Sequence, residues 1–418
     1  MGGTLAAQLF TVLISPILSR LYDAHDFGVF GMYIAITNIG LVIGTAKYET
    51  AIVGAANDRE AMLLRRLCLT IGVAWSILAI TALLLDYAAG APVAGALSLD
   101  GLVWLAPPAL LLLAIFQVQT YSLIRAERYK PLATMRLARS GVSGAAQLAL
   151  STLPLAGAGL IVGQLLGQLA AVFGLSYAQR ATAAHGVRAE PVRREDLVAV
   201  ARVNSRFPQF ELPQGLLSTL SQQLPVLALT VLFDAAAAGL YVMAYRVLVF
   251  PVALVGQSTR QVLLQQVGVA VRESKRVLPV LRSSMGLLIA LGIAPAIVLI
   301  LFAEDLFAFF LGAAWRQAGT YAAVLTPWLA VVILKETALG AAPALRMQGS
   351  ALLFECVGVV LRGAALLAGL AAGNVMHSVI AYSVVGTILN TAFVVTLLWA
   401  ARRHDAALAS HPTEAPQA

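Results

Sequence analysis

The sequence predicts an all-α, polytopic membrane protein of about twelve transmembrane helices, in two six-helix lobes related by a parallel repeat. Three observations support this fold class. Hydrophobic residues make up 60% of the 418 residues, charged residues make up 11%, and the mean hydropathy is +0.85. Apolar runs long enough to cross a bilayer recur along the chain. A stretch near the start of the chain is repeated about half a chain length later.

The composition leaves too little polar surface for a soluble protein of this length. A helix that spans the hydrocarbon core needs roughly 20 apolar residues. Runs of this kind lie at about 3–20, 28–55, 67–85, 101–124, 141–158, 159–178, 214–233, 239–259, 283–303, 317–345, 350–372 and 377–401. The chain is therefore predicted to cross the membrane six times in each half.

The internal repeat relates the segment Leu18–Met32 to the segment Leu229–Met243 without a gap. Identical residues stand at Leu18/Leu229, Leu21/Leu232, Asp23/Asp234, Ala24/Ala235, Gly28/Gly239 and Met32/Met243. Both copies follow the first span of their half and run in the same direction across the membrane. The repeat is therefore parallel, with an axis along the membrane normal, and such duplicated bundles are typical of transporters.

The basic residues predict the topology, because Lys and Arg accumulate in cytoplasmic connections. If both termini are cytoplasmic, most of the 28 basic residues fall in inner connections, among them Arg136 and Arg139. Their dispersal along one membrane face argues against nucleic acid as a partner.

The predicted domains are an N-terminal lobe (1–178), a cytoplasmic linker (179–206), a C-terminal lobe (207–401) and a disordered cytoplasmic tail (402–418). Within the linker, the residues Glu195–Val203 could form a short amphipathic helix on the inner membrane surface. A plain surface tether is favoured there over a regulatory element. The tail is Ala-rich, polar and Pro-containing, which is the basis for predicting disorder.

Nine ionisable residues lie within predicted spans or at their edges, where a charge at the bilayer centre costs on the order of 3 kcal/mol. They are Lys47, Glu49, Glu211, Arg246, Arg260, Lys335, Glu336, Glu355 and Arg362. Arg246 is the strongest candidate for ligand contact, and its alternative is an ion pair with Glu49 or Glu336. Adjacent Lys335 and Glu336 point about 100° apart and address different helices. For Lys47/Glu49, Lys335/Glu336 and Glu355/Arg362, internal salt bridging is at least as plausible as ligand contact.

The repeated aspartates Asp23 and Asp234 each stand just before a helix, where Asp is a favoured N-cap, and are predicted to be caps. Gly28 and Gly239 would provide close approach or turn freedom. Cys68 and Cys356 have no companion ligands, so neither a metal site nor a disulfide is predicted. No nucleophile, nucleotide-binding or metalloprotease motif is present, so neither an enzyme nor a cofactor is expected.

Two segments of the first half, Ser15–Phe30 and Lys47–Val53, resemble the amino-terminal pattern of bacterial Wzx-type polysaccharide flippases. These are O-antigen translocases of the multidrug/oligosaccharidyl-lipid/polysaccharide exporter superfamily. The second half is similar to family segments at Thr219–Pro225, Gly239–Tyr241, Tyr245–Leu248, Val255–Gln257 and Phe309–Tyr321. The resemblance extends from about Leu9 to Trp399.

The resemblance implies a carrier in the bacterial inner membrane that moves undecaprenyl-pyrophosphate-linked oligosaccharide from the cytoplasmic to the periplasmic leaflet. It implies a role in cell-surface polysaccharide synthesis, including the O-antigen of lipopolysaccharide. Alternating access of two lobes, ion coupling, and partnership with membrane lipids and the polysaccharide polymerase machinery also come from the family.

Cations that face a cavity could replace the hydration of a pyrophosphate crossing the membrane. The substrate-binding candidates are, in order, Arg246, Lys47, Arg260, Lys335 and Arg362. The ion-coupling candidates are Glu49, Glu211, Glu336 and Glu355. No metal ligand is assigned.

Three alternatives remain open. A multidrug exporter of the same superfamily would favour acidic cavities suited to cationic compounds. A membrane polymerase or ligase of lipid-linked sugars would be expected to carry a sizeable outer loop, and the outer connections here are short. A non-transporting scaffold would leave the buried charges and the duplication unexplained.

Overall fold

The computed structural model describes residues 2–90, 95, 97, 99–183 and 193–410, which are predominantly helical. Those ranges contain fourteen α-helices and no strand. The helices are α1 (Gly2–Leu18), α2 (Ala24–Thr45), α3 (Tyr48–Gly54), α4 (Asp58–Ala88), α5 (Ala106–Arg125), α6 (Tyr129–Leu150), α7 (Gly157–Ala183), α8 (Arg194–Val203), α9 (Leu212–Leu232), α10 (Ala235–Arg272), α11 (Leu278–Leu311), α12 (Arg316–Ala341), α13 (Gln348–Ala371) and α14 (Val375–Ser410). A π-helical turn, Phe207–Glu211, leads into α9, and 3-10 turns precede α5 and α12.

The predicted all-α membrane fold is confirmed. The predicted span 28–55 is divided between α2 and the short α3, and within the described ranges ten helices are apolar and long enough to cross a membrane. Two further helices fall outside that group. One is α1, which has only 17 residues, and the other is α6, which carries Lys130, Arg136 and Arg139.

The chain divides into two compact units, Met1–Val242 and Met243–Ala418. This division differs from the predicted lobes, because α9 belongs to the first unit and packs against α2. The linker therefore precedes the boundary between the compact units.

The repeated aspartates are helix caps, as the sequence predicts. Asp23 Oδ1 accepts a hydrogen bond from the Asp26 N–H at 2.9 Å, and Asp26 Oδ2 accepts one from the Asp23 N–H at 3.2 Å. Asp234 Oδ1 accepts one from the Ala237 N–H at 2.7 Å. Each carboxylate thus satisfies a backbone donor that the first turn of a helix leaves without a partner.

The two copies of the repeat contact each other reciprocally in the first unit. A Cβ atom at Gly28 would lie 1.7 Å from the carbonyl oxygen of Ala235. A Cβ atom at Gly239 would lie 1.7 Å from the carbonyl oxygen of Ala24. Because Ala24 corresponds to Ala235 and Gly28 to Gly239, residue i meets residue j and j meets i, which is the signature of a two-fold relation. Only glycine allows the first turns of α2 and α10 to approach so closely.

The short helix predicted within the linker is present as α8. Val200 is buried against the first unit. The Tyr48 hydroxyl donates to the Ala201 carbonyl oxygen at 3.2 Å, and Asn204 Nδ2 donates to Glu60 Oε1 at 3.2 Å. The last residues of the linker are thus hydrogen-bonded to α3 and to the start of α4. Linker residues 184–192 lie outside the described part of the chain.

The predicted disordered tail is helical as far as Ser410, because α14 continues past Arg402. Asp405 lies in this last part of α14, and its side chain caps the start of α11. Its Oδ1 accepts from the Val277 N–H at 2.7 Å, and its Oδ2 accepts from the Leu278 N–H at 3.0 Å. Ala401 is buried beside this contact. Tail residues 411–418 lie outside the described ranges.

Replacing Asp405 by asparagine should lower the free energy of unfolding by about 1–3 kcal/mol, because one charged acceptor of two backbone N–H groups is lost. The measurement is the midpoint of thermal unfolding in detergent. Asp305→Asn is the matched control, since its 2.9 Å pair with Arg316 is exposed and should contribute less than about 1 kcal/mol. Equal losses in both variants would contradict the proposed role of Asp405.

Candidate functional site

The chain breaks its helix between Thr45 and Tyr48, where the sequence predicts one continuous span. Ala46 and Lys47 both adopt the left-handed conformation, with φ of 47° and 62°. For a residue with a Cβ atom, this conformation costs of order 1–3 kcal/mol, and it is a common way to end a helix. Lys47 and Glu49 consequently lie just beyond the spanning helix α2, with Glu49 on the short helix α3.

The Lys47 side chain extends along α9. A Cβ atom at Gly215 would lie 2.6 Å from Lys47 Cε and 3.4 Å from Lys47 Nζ, so the glycine leaves room for the lysine. Within the residues that the structure describes, the ammonium forms no ion pair with a carboxylate. The charge is therefore available to an anionic ligand.

Two carboxylates lie near Lys47, and their surroundings differ. Glu49 is 1% exposed, and its Oε2 has no hydrogen-bond partner among the described residues. Glu211, in the π-helical turn before α9, is partly exposed, and its Oε2 lies 2.8 Å from the Thr50 hydroxyl. Glu49 is within electrostatic range of both Lys47 and Glu211. We call Lys47, Glu49, Thr50 and Glu211 the α3 cluster.

The candidate charges of the second unit are largely paired with one another. Arg260 Nη1 lies 3.3 Å from Glu336 Oε2, and Lys335 Nζ lies 3.1 Å from Glu355 Oε2. The adjacent residues Lys335 and Glu336 thus address different helices, as predicted. Both pairs are salt bridges, which was the predicted alternative to ligand contact. Each salt bridge neutralises a charge that would be costly in lipid.

The two remaining candidates are arginines of long helices. Arg362 of α13 is 6% exposed, and its Nη2 donates to Asn390 Oδ1 of α14 at 3.4 Å. Arg246 is partly buried on α10, ahead of Pro251. Both arginines belong to the second compact unit, whereas the α3 cluster belongs to the first.

Two arginines that the sequence places in inner connections lie instead within α6. Arg136 and Arg139 are one helical turn apart, and the Arg139 guanidinium stands 5.2 Å from the ring centre of Phe116 on α5. Arg136 is in electrostatic range of Tyr121. Tyr121 is also in electrostatic range of Glu49 and Glu211. Polar residues recur every three or four positions along α6, at Arg136, Arg139, Ser143 and Gln147, so they lie on one face of the helix. This spacing is the sequence signal that could have identified the polar face.

One group of potential metal ligands is already used structurally. Asp23, His25 and Asp26 lie close enough to share an ion. Both carboxylates of the group accept backbone hydrogen bonds in the capping box that begins α2. The arrangement is therefore explained by capping.

The model of the family described as "Polysaccharide biosynthesis protein" matches residues 17–319. No curated protein matches the chain at the sequence level.

Several solved membrane transporters share the fold. The lipid II flippase MurJ in an inward closed conformation superposes with a TM-score of 0.71 at 12% identity, covering 99% of this chain and 93% of that one. An inward-facing multidrug resistance MATE family transporter of the MOP superfamily gives a TM-score of 0.67 at 15% identity, covering 99% and 96%. The eukaryotic MATE transporter AtDTX14 gives 0.55 at 13% identity, covering 97% of each chain. At sequence identities of 12–15%, this structural similarity establishes the fold of the chain.

Proposed function

The chain belongs to the polysaccharide biosynthesis protein family, and from this premise we propose that it flips undecaprenyl-pyrophosphate-linked oligosaccharide across the bacterial inner membrane. Transport runs from the cytoplasmic to the periplasmic leaflet by alternating access, driven by an ion gradient. The protein is a carrier rather than an enzyme, with both termini in the cytoplasm, and it serves cell-surface polysaccharide synthesis such as that of O-antigen.

One observation carries the proposal: the Lys47 ammonium has no ion-pair partner in the described part of the chain, whereas Lys335 and Arg260 are both paired. A pyrophosphate carries negative charge that must be compensated when it leaves water. A lysine that is held in a strained conformation beside a glycine of a neighbouring helix is suited to that task. Lys47 therefore ranks ahead of Arg246 as the first cargo contact.

The position of Lys47 fits a cargo that starts in the cytoplasmic leaflet. With both termini inside, α2 runs from the outer to the inner face of the membrane. Its 22 residues span about 33 Å, close to the thickness of the hydrocarbon core. Lys47 follows the inner end of this helix, at the depth where a lipid-linked pyrophosphate lies before transport.

The proposal is tested in cells that lack the protein. Labelled lipid-linked oligosaccharide should stay inaccessible to a glycosidase added outside spheroplasts, and expression of the wild-type chain should restore its cleavage. Cleavage that is independent of the protein would contradict the proposal. If the chain instead confers resistance to cationic drugs without changing cleavage, the multidrug-exporter alternative is correct.

A further inference from the structure

The middle of α6 carries an arginine that no carboxylate of the described residues neutralises. Arg139 is the eleventh of the 22 residues of this helix, about 15 Å along it from Tyr129. α6 packs against α7, one of the helices able to cross a membrane, and its full length matches the thickness of the hydrocarbon core. Arg139 therefore lies near the middle of the bilayer, where a charged side chain is costly and is kept mainly for function.

The contacts of Arg139 leave its hydrogen-bond donors unused. The guanidinium stands 5.2 Å from the ring centre of Phe116, and the ring attracts the cation without accepting a strong hydrogen bond. Within the described ranges, Arg139 forms no ion pair and its side chain donates no hydrogen bond. Arg136 is close enough to add the repulsion of a like charge. The five N–H donors of the guanidinium are thus available to an anionic ligand.

Two buried amide side chains on the neighbouring helices have the complementary deficit. Gln119 of α5 is 6% exposed, and Gln168 of α7 is 2% exposed. The Oε1 atom of each accepts no hydrogen bond from the part of the chain that the structure describes. Gln119 is three residues after Phe116 on the same face of α5, and its Nε2 donates to Ser176 Oγ of α7 at 2.7 Å. Both amide oxygens are acceptors that lack a donor.

The polar faces of α6 and α7 cross at Arg139. A Cβ atom at Gly167 of α7 would lie 2.6 Å from the Arg139 carbonyl oxygen and 2.7 Å from Ser143 Cβ. The Ser143 hydroxyl donates to Gln164 Oε1 of α7 at 3.1 Å. Gln168 follows Gly167 directly and lies one helical turn after Gln164. The polar side chains of α5, α6 and α7 therefore meet at one interface within the first compact unit.

These groups define the chemistry of a matching ligand. A guanidinium is best matched by a carboxylate or another oxyanion, which can accept two of its N–H groups at once. The amide oxygens instead require O–H or N–H donors, because a buried acceptor without a donor is costly. A simple inorganic anion would satisfy the arginine alone. A sugar that carries a carboxylate would satisfy both kinds of group.

We propose that Arg139, Gln119 and Gln168 form a binding subsite for an acidic sugar, of the hexuronate class, in the transported oligosaccharide. This inference rests on the proposed function and names the class of its cargo. The subsite adjoins the α3 cluster, because Tyr121 of α5 is in electrostatic range of both Glu49 and Arg136. A sugar in the middle of the membrane, with the pyrophosphate at Lys47, corresponds to a cargo whose glycan enters ahead of its phosphate.

The test uses the full-length chain in nanodiscs and two ligands that differ in one group. Each ligand is a short-chain polyprenyl pyrophosphate that carries a disaccharide. The terminal sugar is glucuronate in the acidic ligand and glucose in the neutral ligand, so a carboxylate replaces a hydroxymethyl group. Titration calorimetry measures both dissociation constants. The wild type should bind the acidic ligand about tenfold more tightly or better, as expected for one charge-assisted contact.

Arg139→Gln should abolish this preference and keep the affinity for the neutral ligand within about threefold. Without ligand, the variant should unfold at the same temperature as the wild type or a higher one, because an uncompensated charge is removed from the interior. An arginine with a purely structural role would instead give a lower midpoint and an unchanged preference. Arg282→Gln, which removes an exposed arginine of α11, is the matched control and should keep the preference.

Each outcome decides between the claims. Equal affinities of the wild type for the two ligands, or the same preference in Arg139→Gln, overturn the inference and leave the proposed function intact. Equal affinities together with a thermal midpoint that rises with chloride only when Arg139 is present would assign the subsite to an inorganic anion. If Arg139→Gln does not fold, Gln168→Leu decides: it should weaken both ligands by about three- to tenfold, and unchanged affinities overturn the inference. Failure of the wild type to bind either ligand overturns the proposed function itself.

Discussion

Replacing Lys47 by asparagine should weaken binding of a short-chain polyprenyl pyrophosphoryl-N-acetylglucosamine by about 10- to 100-fold, the equivalent of losing a charge-assisted contact of about 1.5–3 kcal/mol. Asparagine is chosen because it tolerates the left-handed conformation that the backbone adopts at this position. The loss is then a loss of charge rather than a change of backbone. Titration calorimetry in nanodiscs measures the dissociation constant.

Two further variants complete this prediction. Lys47→Arg keeps the charge and should retain affinity within about threefold, because a guanidinium also pairs with phosphate oxygens. Lys275→Asn removes an exposed lysine that pairs with Glu273 at 2.6 Å and should leave binding unchanged. An unchanged dissociation constant in a folded Lys47→Asn protein would remove Lys47 from the cargo site.

Gly28→Ala should lower the free energy of unfolding by about 1–3 kcal/mol or more, because its methyl group would overlap the Ala235 carbonyl oxygen and force the two helices apart. Gly239→Ala should have a similar effect against Ala24. In an open helical position the same substitution is favourable by about 1 kcal/mol. Gly292→Ala on α11, where no atom lies within 4 Å of the added carbon, should accordingly raise stability.

The expected changes in stability have opposite signs, negative for Gly28→Ala and Gly239→Ala and positive for Gly292→Ala. Thermal unfolding in detergent measures all three variants. The double variant of Gly28 and Gly239 should lose less than the sum of the single losses, since the first methyl group already opens the shared contact. A stabilised Gly28→Ala protein, or fully additive losses, would contradict the reciprocal contact between the two copies.

Features with a local pattern could be predicted from the sequence. The ten helices of the described part that are apolar and long enough to cross a membrane follow from hydrophobic runs, because a lipid bilayer requires long apolar helices. Asp23 and Asp234 were identifiable as caps because capping is decided within one helical turn. The pairing of Lys335 and Glu336 with different helices followed from helical geometry alone.

Features that depend on tertiary contacts could not be predicted in this way. Neither Ala46 nor Lys47 is a glycine, proline or asparagine, and Gly44 lies within α2, so the sequence suggests an uninterrupted span there. The tail contacts α11 because Asp405 accepts a hydrogen bond from the backbone N–H of Val277, more than a hundred residues away in sequence. Likewise, Thr50 and Glu211 meet only because the segment after α8 folds back over α3.

The most direct test of the central claim is translocation by the purified chain in proteoliposomes. The cargo is a labelled polyprenyl-pyrophosphate-linked oligosaccharide, and the readout is its accessibility to an impermeant glycosidase added outside. We predict protein-dependent movement between leaflets that falls at least tenfold in Lys47→Asn and persists in Lys275→Asn. Movement at the rate of protein-free vesicles, or equal movement in both variants, would contradict the account.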